Sequence, residues 1–139
     1  MSTNTKPIGV AYEDQNIRGA DVVYVDNELG YTAAASGSAT QATSKSTGVT
    51  LNTSAGTITM NNAALGATTS VSFTLTNSKI SISDAIILSI VSGAATPGTY
   101  TAWVTGLAAG SASITVRNIS AGSLSEALVL NYVIVHANA

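Results

Sequence analysis

The sequence predicts an all-β protein: an antiparallel β-sandwich or jelly-roll-like domain of about eight strands, preceded by an extended N-terminal arm. Three observations carry this. The chain is 45% hydrophobic yet only 9% charged, so Ser, Thr, Asn and Gly must supply the polar surface. Apolar residues alternate with Thr and Ser over short runs, the pattern of half-buried strands, where β-branched side chains pack well on a pleated surface. Turn-forming clusters separate those runs, while Leu, Glu and Lys are too scarce for long helices.

The 139 residues suit one domain. Residues 1–38 read as an arm and hinge, and residues 39–139 as the sandwich. The arm holds five of the seven acidic residues, Glu13, Asp14, Asp21, Asp26 and Glu28. Pro7 and glycines 9, 19 and 30 disfavour a helix there. Val22, Val23, Tyr24 and Val25 form its one candidate strand, and the Ala/Ser/Gly stretch 33–39 reads as a hinge.

Beyond it, Val49 and Leu51 alternate, a turn follows at 52–56, and Ile58 and Met60 alternate again, so these runs predict a hairpin. Residues 61–66 read as a turn. Val71, Phe73 and Leu75 share one face, and Ile80 and Ile82 continue the pattern until Asp84. The apolar run 85–91 predicts a central strand buried on both faces. A loop at 92–98 carries Gly93, Pro97 and Gly98, after which Tyr100, Ala102 and Val104 face one side and Trp103 the other. Ile114 and Val116 alternate before Asn118, and residues 128–135 close the domain as a long apolar strand. The expected core is Leu51, Ile58, Met60, Val71, Phe73, Leu75, Ile86, Leu88, Ile90, Val104, Ile114, Val116, Leu128, Leu130, Tyr132 and Ile134.

The formal net charge is -2, and the five cations (Lys6, Arg18, Lys45, Lys79, Arg117) are dispersed, which argues against nucleic-acid binding. Cysteine is absent, excluding disulfides and thiolate metal sites. No apolar signal region follows Lys6, and no run reaches the length of a membrane helix, so assembly in a cytoplasm is expected. So few charges also suit burial against partners, because interface cores are depleted in charge.

The chemistry-bearing residues form no recognisable constellation. His136 is the only histidine, and no partner is evident near it in sequence. Ser, His and Asp all occur, but the Gly-x-Ser-x-Gly elbow does not. A hydrolase would need paired carboxylates, yet the sandwich holds only Asp84 and Glu126. The acidic arm lacks the calcium-loop pattern, and no Gly-rich loop ends in Gly-Lys-Ser/Thr. No enzyme activity, metal or cofactor is expected. Trp103 is read mainly as a core residue, while Tyr12 and Tyr24 on the arm fit a contact role.

Three segments, TQATSKSTGVTLN (40–52), GTITMNNAAL (56–65) and AGSLSEALVLNYVIV (121–135), resemble a β-domain recurring in structural proteins of tailed bacteriophages and prophages. KPIGVAYEDQNIRGA (6–20) is similar to the stretch that often precedes it. The resemblance implies a virion component near the head-decoration and head-fibre proteins, and it transfers no catalytic motif. The short connection 21–38 departs from a long fibre shaft. The expectation is a capsid decoration or cement protein on the outer head surface, assembled in the host cytoplasm. Its partners would be the major capsid protein and itself, as a homotrimer or, next, a homodimer. Its arm would grip by strand addition through Ile8, Val10, Tyr12, Ile17, Arg18, Val23, Tyr24 and Val25. The alternative is a receptor-binding or adhesion module of a head fibre or tail, working through the loop at 92–99.

Overall fold

The computed structural model describes residues 21–137. After a single 3-10 turn at Ala33–Ala35 come eight strands: β1 (Ser36–Thr40), β2 (Val49–Thr50), β3 (Ala55–Thr59), β4 (Ser70–Thr76), β5 (Ala85–Ser92), β6 (Tyr100–Ala108), β7 (Ser111–Asn118) and β8 (Val129–Val135). They form two four-stranded sheets, sheet A in the order β1-β3-β8-β5 and sheet B in the order β2-β4-β7-β6. The expected sandwich of eight strands is therefore present. Pairing is antiparallel except for β1 with β3 and β2 with β4, which are parallel.

Period-two alternation decides which side chains meet between the sheets. Sheet B contributes Phe73 and Leu75 from β4 and Ile114 and Val116 from β7; sheet A answers with Ile58, Leu130, Tyr132 and Ile134. Each fully buried aliphatic side chain contributes about 1.5–3 kcal/mol of transfer free energy. All sixteen expected core residues are buried or pack against the buried cluster. Val49, Leu65, Ile80, Tyr100 and Ala112 join them.

Several local expectations are overturned. Residues 22–25 form no strand and are exposed. The stretch 33–39, read as a hinge, supplies the 3-10 turn and most of β1, which pairs along β3 from Ser36↔Ala55 to Thr40↔Thr59. The sheet thus begins three residues before the expected boundary at 39. Small side chains suit this position: at Gly37 a Cβ would stand 2.8 Å from Leu51 Cδ1.

The expected hairpin between the runs at 49–51 and 58–60 does not exist, because β2 lies in sheet B and β3 in sheet A. The residues between them cross the sandwich. Their backbone is satisfied by side chains: Asn77 Nδ2 donates to the Thr53 carbonyl at 2.8 Å, and the Tyr132 hydroxyl donates to the same oxygen at 3.1 Å. Turn chemistry was present, but it serves a change of sheet.

Ile80 and Ile82 fall in two successive turns, one closed by Ile80 N–H to the Asn77 carbonyl (3.0 Å) and the next by Asp84 N–H to the Ser81 carbonyl (3.2 Å), with Ile80 buried and Ile82 exposed. The apolar run of β5 is an edge strand with β8 as its single neighbour. Ile86, Leu88 and Ile90 point inward, while Ile87 is 60% exposed on the outer face. Trp103, expected in the core, also faces outward from β6 and is 39% exposed. Among the described residues, no helix is long and apolar enough to cross a membrane.

Candidate interaction site

Parity gives the two outer faces of the sandwich different chemistry. On sheet A the outward row Ser36, Ala55, Val133 and Ile87 runs across all four strands in register, with Val135 beside it. Leu29, Gly30 and Tyr31 lie over this row and complete an apolar cleft of about 500 Å³. The Tyr31 hydroxyl donates to the Ile134 carbonyl at 2.5 Å, fastening the end of the N-terminal segment to β8.

Over residues 21–30, upstream of that anchor, the segment has no regular secondary structure, and every residue from 21 to 31 is exposed. Tyr24 is 89% and Leu29 90% exposed, and Val22, Val23 and Val25 are also open. So many large apolar side chains outside a fold mark a contact surface. Of the expected arm residues, Val23, Tyr24 and Val25 are on this segment; Ile8, Val10, Tyr12, Ile17 and Arg18 lie outside the described residues.

The polar interior holds groups that the sequence pattern conceals. Lys45 is buried, and its ammonium donates to the Asn61 carbonyl at 2.6 Å and to the Glu126 carbonyl. Burial pushes its pKa down, and Glu126 partly opposes this. Gln41, also buried, donates from Nε2 to the carbonyls of Lys45 (3.0 Å) and Thr47 (2.8 Å) and accepts from the Asn61 N–H (3.0 Å). Together they tie the loop after β1 to those before β4 and β8. Nothing in the alternation distinguishes Lys45 from a surface lysine.

His136 does have a partner: its Nδ1 lies 2.9 Å from Asp84 Oδ1. The Asp84 carboxylate also accepts from the Ser81 N–H and hydroxyl, both at 2.8 Å. These three residues do not form a hydrolytic triad, because Ser81 bonds the carboxylate, not the imidazole that would have to take its proton. The Ser81 N–H, with help from His136 and the Ser81 hydroxyl, holds the Asp84 carboxyl down at about 2 against the cost of burial.

A carboxyl depressed below its unfolded value of 3.8 adds stability above that value and loses it as pH falls through about 2. We expect the urea midpoint to fall between about pH 4 and pH 2. An Asp84→Asn variant should lose much of that acid sensitivity, and an unchanged acid limb in the variant would refute the assignment.

Glu126 accepts from the Ala95 N–H at 2.8 Å through Oε1. Its Oε2 and the Tyr100 hydroxyl are both buried with no hydrogen-bond partner among the described residues. Burial, then the neighbouring Glu126 carboxylate, pushes the Tyr100 hydroxyl up to about 12. Asp84 and Glu126 stand near opposite ends of β5, roughly 20 Å apart at the rise of a strand, too far to act as a carboxylate pair. Among the described residues no three His, Asp or Glu side chains are grouped to hold a metal ion.

Fold and surface thus define a class: a β-sandwich with an exposed apolar segment fastened to one face. No family model, curated protein or solved structure matches the chain.

Proposed function

We propose that this chain is a structural protein of a tailed-bacteriophage virion, a capsid decoration protein that grips the outer head surface through its N-terminal arm. The observation that carries the reading is the exposed apolar segment at 22–29, anchored by Tyr31 beside the apolar outer face of sheet A. A segment without regular secondary structure, whose backbone makes no hydrogen bond among the described residues, is suited to add as a strand to a neighbour's sheet. Its acidic residues Asp21, Asp26 and Glu28 favour basic surfaces. Resemblance of the segments 40–52, 56–65 and 121–135 to phage structural domains supplies the setting, and a homotrimer is the favoured state, because clustered arms bind by avidity.

Cryo-electron microscopy of the intact virion tests this. Density for the sandwich at regular positions on the head, with residues 6–29 threaded across capsid subunits, is the expected result; density confined to the tail would sink it. In solution, a chain lacking residues 1–28 should remain folded but bind purified capsids at least about tenfold more weakly, a loss of roughly 1.4 kcal/mol or more. Equal decoration by the truncated chain would overturn the role given to the arm.

A second reading, a receptor-binding module, draws on the loop at 92–99. There Ile90, Ser92, Pro97 and Tyr100 border a hollow of about 380 Å³ on a rigid scaffold.

A further inference from the structure

We infer that the outer face of sheet B is a binding platform for an acidic polysaccharide, with Trp103 as the stacking residue and Arg117 as the carboxylate receptor. The inference does not depend on what the arm grips.

The strands of both sheets contain no Asp or Glu, but those of sheet B (β2, β4, β6 and β7) alone carry a cation, Arg117. Outward positions are dominated by Ser and Thr, whose hydroxyls are linked across strands. Ser72 and Thr115 lie 2.7 Å apart, Thr105 and Thr115 3.1 Å apart, and Thr105 donates to Ser113 at 3.2 Å. These bonds hold the hydroxyls in fixed directions around the buried Thr115, while Ser72, Thr105 and Ser113 nearer the surface keep further donor or acceptor capacity. The ordering entropy of a polyhydroxylated ligand's partners is thereby already met.

Into this array the fold sets the chain's single tryptophan. Trp103 is paired with Thr115 and flanked on its own strand by Ala102 and Val104, which pack toward the core. The indole is 39% exposed although a buried site would have removed far more apolar area. A half-covered tryptophan on a sheet offers aromatic surface at little entropic cost, the kind on which the C–H face of a pyranose stacks. Next along β7 on the same side is Arg117, exposed and paired in register with Thr101 and Ser70. Trp103 and Arg117 are therefore diagonal cross-strand neighbours, about 7–8 Å apart between backbones, close to the width of one sugar ring. Arg117 has no carboxylate partner among the described residues. With no acid on the strands of the face, its guanidinium is suited to take a ligand carboxylate bidentately.

On the other side of Trp103 the β-bulge between Val104 and Gly106 leaves a position without a side chain, and a shallow hollow of about 260 Å³ opens there between Thr74 and Ser111. A chain of sugars lying along β6 would meet the guanidinium, the indole and the hollow in turn. The charge pattern selects an acidic polymer over a neutral one, because the sole titratable group on the platform is cationic.

The test uses the full chain and its only indole as reporter. Trp103 emission is followed during titration with oligogalacturonate and with a neutral oligosaccharide of equal length, each to about 10 mM, the range of weak single-site binding. The expected result is a saturable emission change with the acidic oligosaccharide at several-fold lower concentration than with the neutral one. Arg117→Gln should abolish that preference and leave the neutral response intact. Trp103→Ala, followed by calorimetry, should weaken both at least tenfold while the melting temperature stays close to that of the parent. No response to either oligosaccharide, an equal response to both in the parent chain, or full binding by Trp103→Ala would each overturn the proposal.

Discussion

Replacing Lys45 with methionine is expected to lower the unfolding free energy by about 3 kcal/mol. The substitution keeps the length and apolar stem of the side chain but removes the ammonium that bonds the Asn61 and Glu126 carbonyls. Each buried carbonyl left without a donor costs about 1–3 kcal/mol. The buried charge itself carries a desolvation cost, visible in the lowered pKa of Lys45, so removing it returns part of that loss. The net remains strongly destabilising because two connections are released at once, with Gln41 tied to the same Asn61. Equilibrium urea unfolding measures it; a variant within about 0.5 kcal/mol of the parent would show that water replaces the ammonium without loss.

The second large effect is expected at Gly93, where alanine should cost about 2–4 kcal/mol. The residue follows β5 at φ +95°, a region that side chains avoid, which alone costs about 1 kcal/mol or more. A Cβ built there would lie 2.2 Å from the Ala127 carbonyl oxygen and 2.7 Å from Leu128 Cα, both backbone atoms that cannot swing aside. Overpacking of that kind adds about 1–3 kcal/mol. By contrast, alanine at Gly98, at φ +81° but with no atom within 4 Å of its Cβ, should show only the conformational part. Thermal melts of the two variants separate strain from collision: equal losses at both positions would refute the steric contribution at Gly93.

What was legible in the sequence follows the same physics. Strands β4, β6, β7 and β8 alternate because each has one face on the core and one on solvent, so Phe73, Leu75, Ile114, Val116, Leu130 and Tyr132 could be assigned from spacing. The residues at 49–60 were misread because a cluster of turn-forming side chains looks the same whether the chain reverses in one sheet or steps to the other. The step depends on Tyr132 and Asn77, far along the chain. β5 looks central in sequence because Ile87 and Val91 are apolar; both are instead exposed, Ile87 lining the cleft under Leu29 and Tyr31 and Val91 the hollow at the 92–99 loop. Of the candidate arm residues, Val23, Tyr24 and Val25 proved exposed, but their lack of a strand could not be read from β-propensity, which presupposes a neighbouring strand to pair with. Lys45 and the pairing of Asp84 with His136 left no periodic trace, since both join residues 16 to 81 positions apart.

The position of β8 between β3 and β5 also sets a schedule for biosynthesis. Sheet B is complete once Asn118 has emerged from the ribosome, whereas β3 and β5 wait for a strand that begins at Val129. Until then the nascent chain holds one finished sheet with its apolar inner surface uncovered, the condition in which chaperones bind and neighbouring chains aggregate. A chain terminated after β7 therefore lacks the strand that covers Phe73, Ile114 and Val116 from sheet A, and exposed apolar surface of that kind is what proteases and chaperones act on.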